Sequence, residues 1–202
     1  MARVMARVTA RAFGTSPALA LIETRSIASG LVLTDKVVKK APVTILSSTP
    51  VSSGKHVLVF FGGVAEVQES FKEAVELGAD DILQKILIPN VHPRLEPFLG
   101  AFTQADGVVR TAPAESSLGI VESATLGAAI VACDAALKAA DVDLVRLRLG
   151  HGIGGKAFFV IHGDLEAVEA AIEAADHELT VLQSRVRIEK IARPMPEALE
   201  FL

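Results

Sequence analysis

An internal repeat constrains this chain more than any other feature of its sequence. The stretch ALALIETRSIASGLVLTDKVVKKAPVTIL in the first half aligns without gaps with SLGIVESATLGAAIVACDAALKAADVDLV in the second half. Charged residues recur at one constant spacing in the two copies: Glu23 and Glu122, Asp35 and Asp134, and Lys39 and Lys138. Further along each copy the spacing grows by two residues, so that Lys55 falls on Lys156. Self-similarity of this kind predicts one supersecondary unit that is built twice.

Each copy has the same predicted order of elements. A strand leads into a helix, two strands joined by a tight turn follow, and a second helix and a last strand close the unit. This β-α-β-β-α-β order is the ferredoxin-like arrangement with an antiparallel sheet, which places the chain in the α/β (α+β) class. We predict a first domain over 17–100 and a second over 116–202, joined by a linker over 101–115. The basic segment 1–16 is predicted to be a mobile tail, in which Met5 could also be the start.

The composition argues against several classes of protein. The formal net charge is −4 and no basic stripe is interleaved with aromatic residues, which argues against nucleic-acid binding. The single cysteine, Cys133, rules out an intramolecular disulfide and a metal site of clustered cysteines, and its mid-helix position favours a small buried apolar role. The histidines lack the spacing of metal ligands, and no uncharged apolar run approaches the ~18 residues of a membrane-spanning helix. We expect a soluble intracellular protein.

The second copy contains a glycine-rich turn, GHGIGGK, that resembles a phosphate-binding P-loop. A P-loop needs Ser or Thr after its lysine to hold Mg²⁺, and then a helix whose N-terminus meets the phosphate. Here Ala157 follows Lys156, and the next run, AFFVI, is typical of a strand. The equivalent segment of the first copy, TPVSSGKH, has no P-loop pattern. A turn between two strands is therefore favoured, with a nucleotide-binding enzyme as an alternative.

The second copy resembles the shell protein domain of bacterial microcompartments, from LGIVES through the glycine-rich turn to GDLEAVEAAIEAA and IARP. The resemblance covers nearly the whole repeat, and the first copy resembles the same domain with a shorter turn. Two such domains in one chain are similar to the tandem-domain class, whose members form trimers that imitate the hexamers of single-domain shell proteins. Because neither copy is circularly permuted, the chain resembles the single-layer subclass.

This resemblance implies a structural role in the microcompartment shell, in the cytoplasm, with no catalytic residues, metal or cofactor. It implies a pseudohexameric homotrimer that tiles with other shell proteins, both hexameric and pentameric, and it implies neither nucleic acid nor a membrane as a partner. It also implies a central pore for small polar or anionic metabolites, lined by the turns between the middle strands. The implied pore-lining residues are Val51, Ser52, Ser53 and Gly54 in the first copy and His151, Gly152, Ile153 and Gly154 in the second.

The resemblance also assigns residues to the edge between neighbouring tiles. Lys39 and Lys138 end the first helix of each copy, and Arg193 stands in IARP. The first copy departs from the family here, because LIPNVHP offers Asn90 and His92 and has no arginine before its proline. An alternative for the two lysines is the general preference for cations at helix C-termini.

Two further alternatives concern chemistry and ligands. Glu23 and Glu122 recur at strand ends, and paired carboxylates can act in acid–base catalysis. No His, Cys or Lys is evident beside both of them, so a structural hydrogen-bonding role is favoured. Tandem ferredoxin-like domains often bind metabolites between subunits, which makes a small-molecule sensor the main alternative function. The pore is also expected to be somewhat pH-sensitive, because an unperturbed histidine such as His151 has a pKa near 6.5.

Overall fold

The computed structural model describes residues 17–99, 109–150 and 152–199. In the first copy the elements are β1 (Ala18–Thr24), α1 (Ile27–Lys40), β2 (Thr44–Val51), β3 (Lys55–Gly62), α2 (Val64–Gly78), β4 (Ile82–Ile88) and α3 (Glu96–Leu99). In the second they are β5 (Ser117–Ser123), α4 (Leu126–Ala139), β6 (Asp143–Leu149), β7 (Ala157–Gly163), α5 (Leu165–Val181), β8 (Arg185–Ile191) and α6 (Pro196–Leu199). The predicted β-α-β-β-α-β order is confirmed in both copies, and each copy adds a short helix after its last strand.

Each copy forms a four-stranded sheet in which every pair of neighbouring strands is antiparallel. The strand order is β2-β3-β1-β4 in the first sheet and β6-β7-β5-β8 in the second. Even the irregularities coincide. The register shifts between Ile45 and Ser47 in one hairpin and between Leu144 and Arg146 in the other, which are equivalent positions. The two sheets are therefore the same unit twice, as the sequence repeat predicts.

Two clusters of apolar side chains show how the copies are joined. The smaller cluster fills the space between the first sheet and its helices α1 and α2, and it includes Leu33 and Phe60. The larger cluster is continuous across both copies. It contains the opposite face of the first sheet, the short helix α3, helix α4 and the face of the second sheet under α4. Helix α4 thus belongs to the cores of both copies, and the predicted burial of its Cys133 is confirmed.

The linker between the copies is described only from Val109 onward, and the predicted tail over 1–16 lies outside the described residues. Val109 forms an isolated antiparallel bridge with Arg146, and the Arg110 backbone N–H donates to the Val145 carbonyl. The described end of the linker is therefore attached to β6. None of the described helices combines the length and the apolar character that crossing a bilayer requires.

Candidate functional site

The first candidate loop is the turn between β2 and β3. Residues Ser52–Gly54 form one turn of 3₁₀ helix, and both Ser53 (φ 69°) and Gly54 (φ 72°) have left-handed backbones. Val51 is buried at the end of β2, whereas Ser53 and Gly54 are exposed. A Cβ added at Gly54 would meet no atom within 4 Å, so the tip of the loop points into open space.

The second candidate loop joins β6 to β7 and is two residues longer. Its four glycines, Gly150, Gly152, Gly154 and Gly155, all have positive φ. The Gly150 N–H donates to the Lys156 carbonyl over 2.9 Å and closes the turn. Because β7 follows directly, no helix N-terminus is available for a phosphate, and the P-loop interpretation is rejected. His151 lies outside the described residues.

The fold brings the two loops together. The Ser52 hydroxyl donates to the Gly150 carbonyl over 2.9 Å, across the boundary between the copies. On the same boundary, a Cβ built on Gly155 would lie 3.9 Å from the Lys55 Nζ. The two loops are far apart in sequence but equivalent in the repeat. They therefore lie side by side at one end of the boundary between the copies.

Charged side chains stand beside these loops, although neither loop contains a carboxylate among its described residues. Lys55 Nζ lies 2.8 Å from Glu23 Oε1, and Glu23 is 2 % exposed. The recurrence of this glutamate in both copies was the sequence signal, and no partner that recurs in both copies was expected. Among the described residues, the structure gives Glu23 a lysine partner in the first copy only. Lys55 is far from Glu23 in sequence but lies diagonally across from it on the neighbouring strand, two residues from Val57, which is directly opposite Glu23. Glu122 is only half-buried, and Lys156 is exposed and forms no ion pair with a described residue.

A buried polar network supports the first loop from beneath. His56, which follows Lys55 on β3, is fully buried, and its Nε2 lies 3.1 Å from the Ser48 hydroxyl. That hydroxyl lies 2.8 Å from the Thr34 hydroxyl of α1. Burial lowers the pKa of the His56 imidazole, whose Nδ1 has no hydrogen-bond partner among the described residues. A Cβ on Gly30 would lie 2.2 Å from this Nδ1, so the glycine provides room for the ring.

The second copy lacks this network at every position. In place of Gly30, Thr34, Ser48 and His56 it has Ala129, Cys133, Leu147 and Ala157. All four replacements are buried members of the larger apolar cluster. The two loops therefore rest on different supports, one polar and titratable and the other apolar.

The boundary between the copies, here called the junction, is held by polar contacts that the sequence did not indicate. Gln84 on β4 accepts from the Gly127 N–H and donates to the Thr125 hydroxyl. The His92 N–H donates to Asp134, and Arg94 contacts the Val142 carbonyl together with Asp141 and Asp143. The first-copy side chains of the junction are not conserved in the second copy, although Asp134 recurs as Asp35. Gln84 and Arg94 align with Arg187 and Glu197, so the repeat could not reveal them.

The residues predicted for the tile edge lie in different surroundings. Lys39 is exposed on α1 and pairs with Asp35 over 2.7 Å. Lys138 pairs with Asp134, which is 5 % exposed and also receives the His92 N–H at the junction. Arg193 is exposed and has a left-handed backbone, with φ 52°. Its counterpart Asn90 has φ 58°, so the first copy keeps the backbone without the guanidinium.

A groove of about 480 Å³ lies between α5 and β8. It is lined by ion pairs, Arg185 with Asp176 and Lys190 with Glu169. The charges of these four side chains are paired within the groove, so these side chains offer no unpaired charge to a ligand. In the described ranges no three His, Cys, Asp or Glu side chains group so as to hold a metal ion.

Comparison with known proteins agrees with this architecture. The BMC domain family matches twice, over residues 18–91 and 117–194. The chain is 33% identical over 160 residues to the bacterial microcompartment shell protein PduT of Citrobacter freundii, covering 79% of this chain and 83% of that protein. It also resembles the crystal structure of a microcompartment protein from Desulfitobacterium hafniense, with a TM-score of 0.78, 33% identity and coverage of 92% of this chain and 99% of that one.

A second solved structure is more distant. The fused permuted hexameric shell protein of the RMM microcompartment gives a TM-score of 0.62 and 28% identity, covering 83% of this chain and 85% of that one. In the present chain each family match runs through all four strands of its copy in unbroken order. The chain therefore belongs to the bacterial microcompartment shell proteins and carries two BMC domains in tandem.

Proposed function

We propose that this structural shell protein assembles as a homotrimer with a pseudo-sixfold outline and a pore on its axis. The observation that carries the proposal is the contact between the two equivalent loops, Ser52 to Gly150, at one end of the junction. When equivalent loops of neighbouring domains meet at one end of their interface, rotational repetition of that interface brings all such loops to a common axis.

The junction uses only half of the surfaces that the repeat provides. Within the chain, β4 and the segment after it contact α4. The equivalent surfaces, β8 with the segment after it and helix α1, are not used in this way. Each chain can therefore join the next head to tail, and such heterologous interfaces form a closed ring when the rotation allows. A sixfold outline built from two domains per chain corresponds to three chains per ring, and similarity to a fused permuted hexameric shell protein supports this number.

Apolar exposure supports this assignment of the free surfaces. On α1, Leu31 is 54% exposed and Val32 57% exposed. At and beyond the end of β8, Ile191 is 38% exposed and Met195 68% exposed. Burying these side chains against a second chain stabilises the assembly by roughly 25 cal/mol for each Å² of apolar surface removed from water.

Light scattering tests the assembly. The expected mass is about three times the chain mass of 21.2 kDa. A stable monomer at micromolar concentration contradicts the trimer. Electron microscopy of the protein mixed with shell hexamers then tests tiling, with extended sheets or closed shells as the expected result.

The loops themselves favour small polar or anionic metabolites. Successive backbone N–H groups in turns with positive φ can form an anion-binding concavity, and the second loop has four such glycines. Lys55 and Lys156 stand beside the loops and add a favourable potential for anions. Ile153 and Ser53 are the larger side chains at the loop tips and mark the expected constriction.

Conductance of the trimer in a planar bilayer tests the pore. Ser53→Asp should reduce anion current relative to cation current, because it adds one carboxylate per chain to a loop that has none. Gly154→Asp should act likewise, with Gly154→Asn as the control for backbone strain at φ 67°. Equal anion and cation currents in the wild type and in both aspartate variants contradict an anion-favouring pore.

Tile contacts are best tested at Lys39 and Arg193. Lys39→Gln should leave the trimer intact and hinder lateral assembly, because it removes an exposed cation without placing a second carboxylate beside Asp35. A carboxylate is avoided here because Asp134, the counterpart of Asp35, accepts the His92 N–H at the junction, and Asp35 would face the next chain in the same way. Loss of the trimer in Lys39→Gln contradicts the edge assignment.

A further inference from the structure

The ion pair between Glu23 and Lys55 distinguishes the surroundings of the two loops. Glu23 lies near the end of β1, and Lys55 is the first residue of β3, directly after the first loop. The Glu23 side chain is 3% exposed and that of Lys55 is 33% exposed. The pair therefore consists of a carboxylate enclosed by protein and a cation at the rim of the loop.

The second copy has the same two residue types but a different arrangement. Glu122 and Lys156 are the counterparts of Glu23 and Lys55 in the repeat. On the neighbouring outer strand, Glu23 is opposite Gln84, whereas Glu122 is opposite Arg187. Lys156 is exposed and makes no ion pair with the residues that the structure describes. One copy thus neutralises its loop lysine, and the other leaves it in solvent.

Lys55 also lies at the point where the two loops meet. Its Nζ would be 3.9 Å from a Cβ on Gly155, which belongs to the second loop. A charge at this position acts on both loops, and any change in its neutralisation changes the potential at the loops of both copies. The Glu23 carboxylate, 2.8 Å from the Lys55 Nζ, is the group that compensates this positive charge.

We infer that Glu23 sets the charge selectivity of the proposed pore by neutralising Lys55, so that Lys156 supplies the unpaired lysine of each chain at the axis. This inference rests on the proposed pore. Conduction requires that an ion be attracted enough to enter and held weakly enough to leave. Neutralising one lysine of each pair limits the positive potential, so that small anions are attracted but not retained.

The effect of each substitution follows from where the charges lie. Glu23→Gln keeps a hydrogen-bond acceptor for Lys55 but removes the negative charge, so that an uncompensated cation is left beside the loops. Lys55→Gln instead leaves an enclosed carboxylate without its cation, which is destabilising. Glu23→Gln is therefore the informative variant. Glu122→Gln is its matched control in the second copy, because Glu122 has no pairing with Lys156.

The first measurement concerns the pair and does not depend on conduction. The folded trimer is treated briefly with an amine-acylating reagent, and mass spectrometry compares modification of Lys55 and Lys156. In the wild type we expect Lys55 to react several-fold more slowly than Lys156. We expect Glu23→Gln to raise the reactivity of Lys55 and Glu122→Gln to leave it unchanged. Equal reactivity of Lys55 and Lys156 in the wild type overturns the inference.

The second measurement is the reversal potential of bilayer conductance in a KCl gradient. Glu23→Gln should shift it toward the chloride potential, Lys156→Gln should shift it toward the potassium potential, and Glu122→Gln should leave it near the wild-type value. If the wild type conducts and Lys156→Gln shifts the potential but Glu23→Gln does not, the inference alone fails. If neither the wild type nor any variant conducts, the proposed pore fails and the inference fails with it.

Discussion

Helices α1 and α4 occupy the same place in the repeat but differ in what surrounds them. Each has 14 residues, yet α4 buries ten of them and α1 buries only Gly30, Leu33 and Val37. Both helices cover their own sheet, and the difference comes from the second surface of α4, which the first copy covers. The composition of a helix at an equivalent position therefore depends on its neighbour in the assembly as well as on its own fold.

The sequences of the two helices show the same contrast. LGAAIVACDAALKA is apolar on almost every side, which is typical of a helix enclosed by protein. IASGLVLTDKVVKK has an apolar stripe toward its sheet, and it also exposes apolar side chains toward solvent. In the proposed trimer the next chain covers those side chains, so that both helices are enclosed but only one by its own chain.

The largest expected effect comes from placing a carboxylate at equivalent positions of the two helices. Ile130→Asp puts an unpaired charge at a site that is 0% exposed, and it should lower the free energy of unfolding by about 4 kcal/mol or more. Leu31→Asp is the matched variant at a site that is 54% exposed. It should change the unfolding of a single chain by less than about 1 kcal/mol. Chemical denaturation of both variants measures the difference.

The same pair also tests the assembly. Leu31→Asp should yield a folded chain that no longer forms trimers in light scattering, because the carboxylate would be buried between chains. A stable Leu31→Asp trimer would show that α1 does not face the next chain. Similar destabilisation of the two variants, compared at a concentration where both are monomeric, would contradict the difference in enclosure between α1 and α4.

A smaller effect is expected at the polar side of the junction. Arg94→Ala removes the hydrogen bond to the Val142 carbonyl and the ion pairs to Asp141 and Asp143. The expected loss in unfolding free energy is about 1.5–3 kcal/mol, the range for hydrogen bonds to charged groups. Glu197→Ala, the counterpart on exposed α6, should stay within about 0.5 kcal/mol in a monomeric background such as Leu31→Asp. Equal losses would contradict the asymmetry of the two surfaces.

The supports of the two loops should differ in their response to pH. The unfolded chain protonates His56 near pH 6.5, whereas burial lowers its pKa in the fold. Below pH 6.5 the unfolded state therefore binds more protons, and the free energy of unfolding falls until the pH reaches the lowered folded pKa. His92 and His162 act in the same direction, since burial lowers the pKa of each.

His56→Ala, which installs the residue of the second copy, should reduce this pH dependence. Denaturation at about pH 7.5 and about pH 5.5 measures it as the difference between the two unfolding free energies. Val57→Ala, a truncation at the buried neighbouring position that removes no titratable group, is the control and should leave the difference unchanged. An unaltered pH dependence in His56→Ala would show that the buried imidazole does not titrate on folding.

The smallest effect is expected at the two left-handed residues after the last strands. Asn adopts this conformation more readily than Arg, so Arg193→Asn should preserve or raise stability by up to about 1 kcal/mol. The substitution also gives the second copy the residue type that the first copy has at the equivalent position, Asn90. Thermal unfolding checks stability, and electron microscopy with shell hexamers checks tiling. Normal sheets from Arg193→Asn would contradict an edge role for the guanidinium.

The sequence predicts the fold nearly in full because the repeat doubles every signal. Each strand and helix is supported by two independent stretches with the same spacing, and the two extra residues of the second loop are located by the alignment itself. The burial of α4 could also have been predicted, since its uniform apolarity is visible in LGAAIVACDAALKA. That signal indicates a junction between the copies.

The polar contacts could not be predicted in the same way. Gln84 and Arg94 have unlike counterparts, so the repeat gives no support for them, and their partners lie in the other copy. The pairing of Glu23 with Lys55 depends on strand register, which sets Val57 opposite Glu23 and so brings Lys55 to the diagonal position beside it. The need for glycine at position 30 is visible only in the structure, where the His56 ring occupies the space that a Cβ would fill.

The unequal length of the two loops has a consequence for how such a chain can evolve. In a ring of six identical subunits, an insertion near the axis is made six times in the space where there is least room. In the proposed ring of fused copies, the same insertion is made three times, opposite three loops that keep their old length. Duplication and fusion of a gene thus halve the number of times that a mutation near the axis occurs in one ring. A glycine-rich turn such as GHGIGGK can then arise in one copy, while the shorter SSGK turn of the other copy keeps space for the proposed pore.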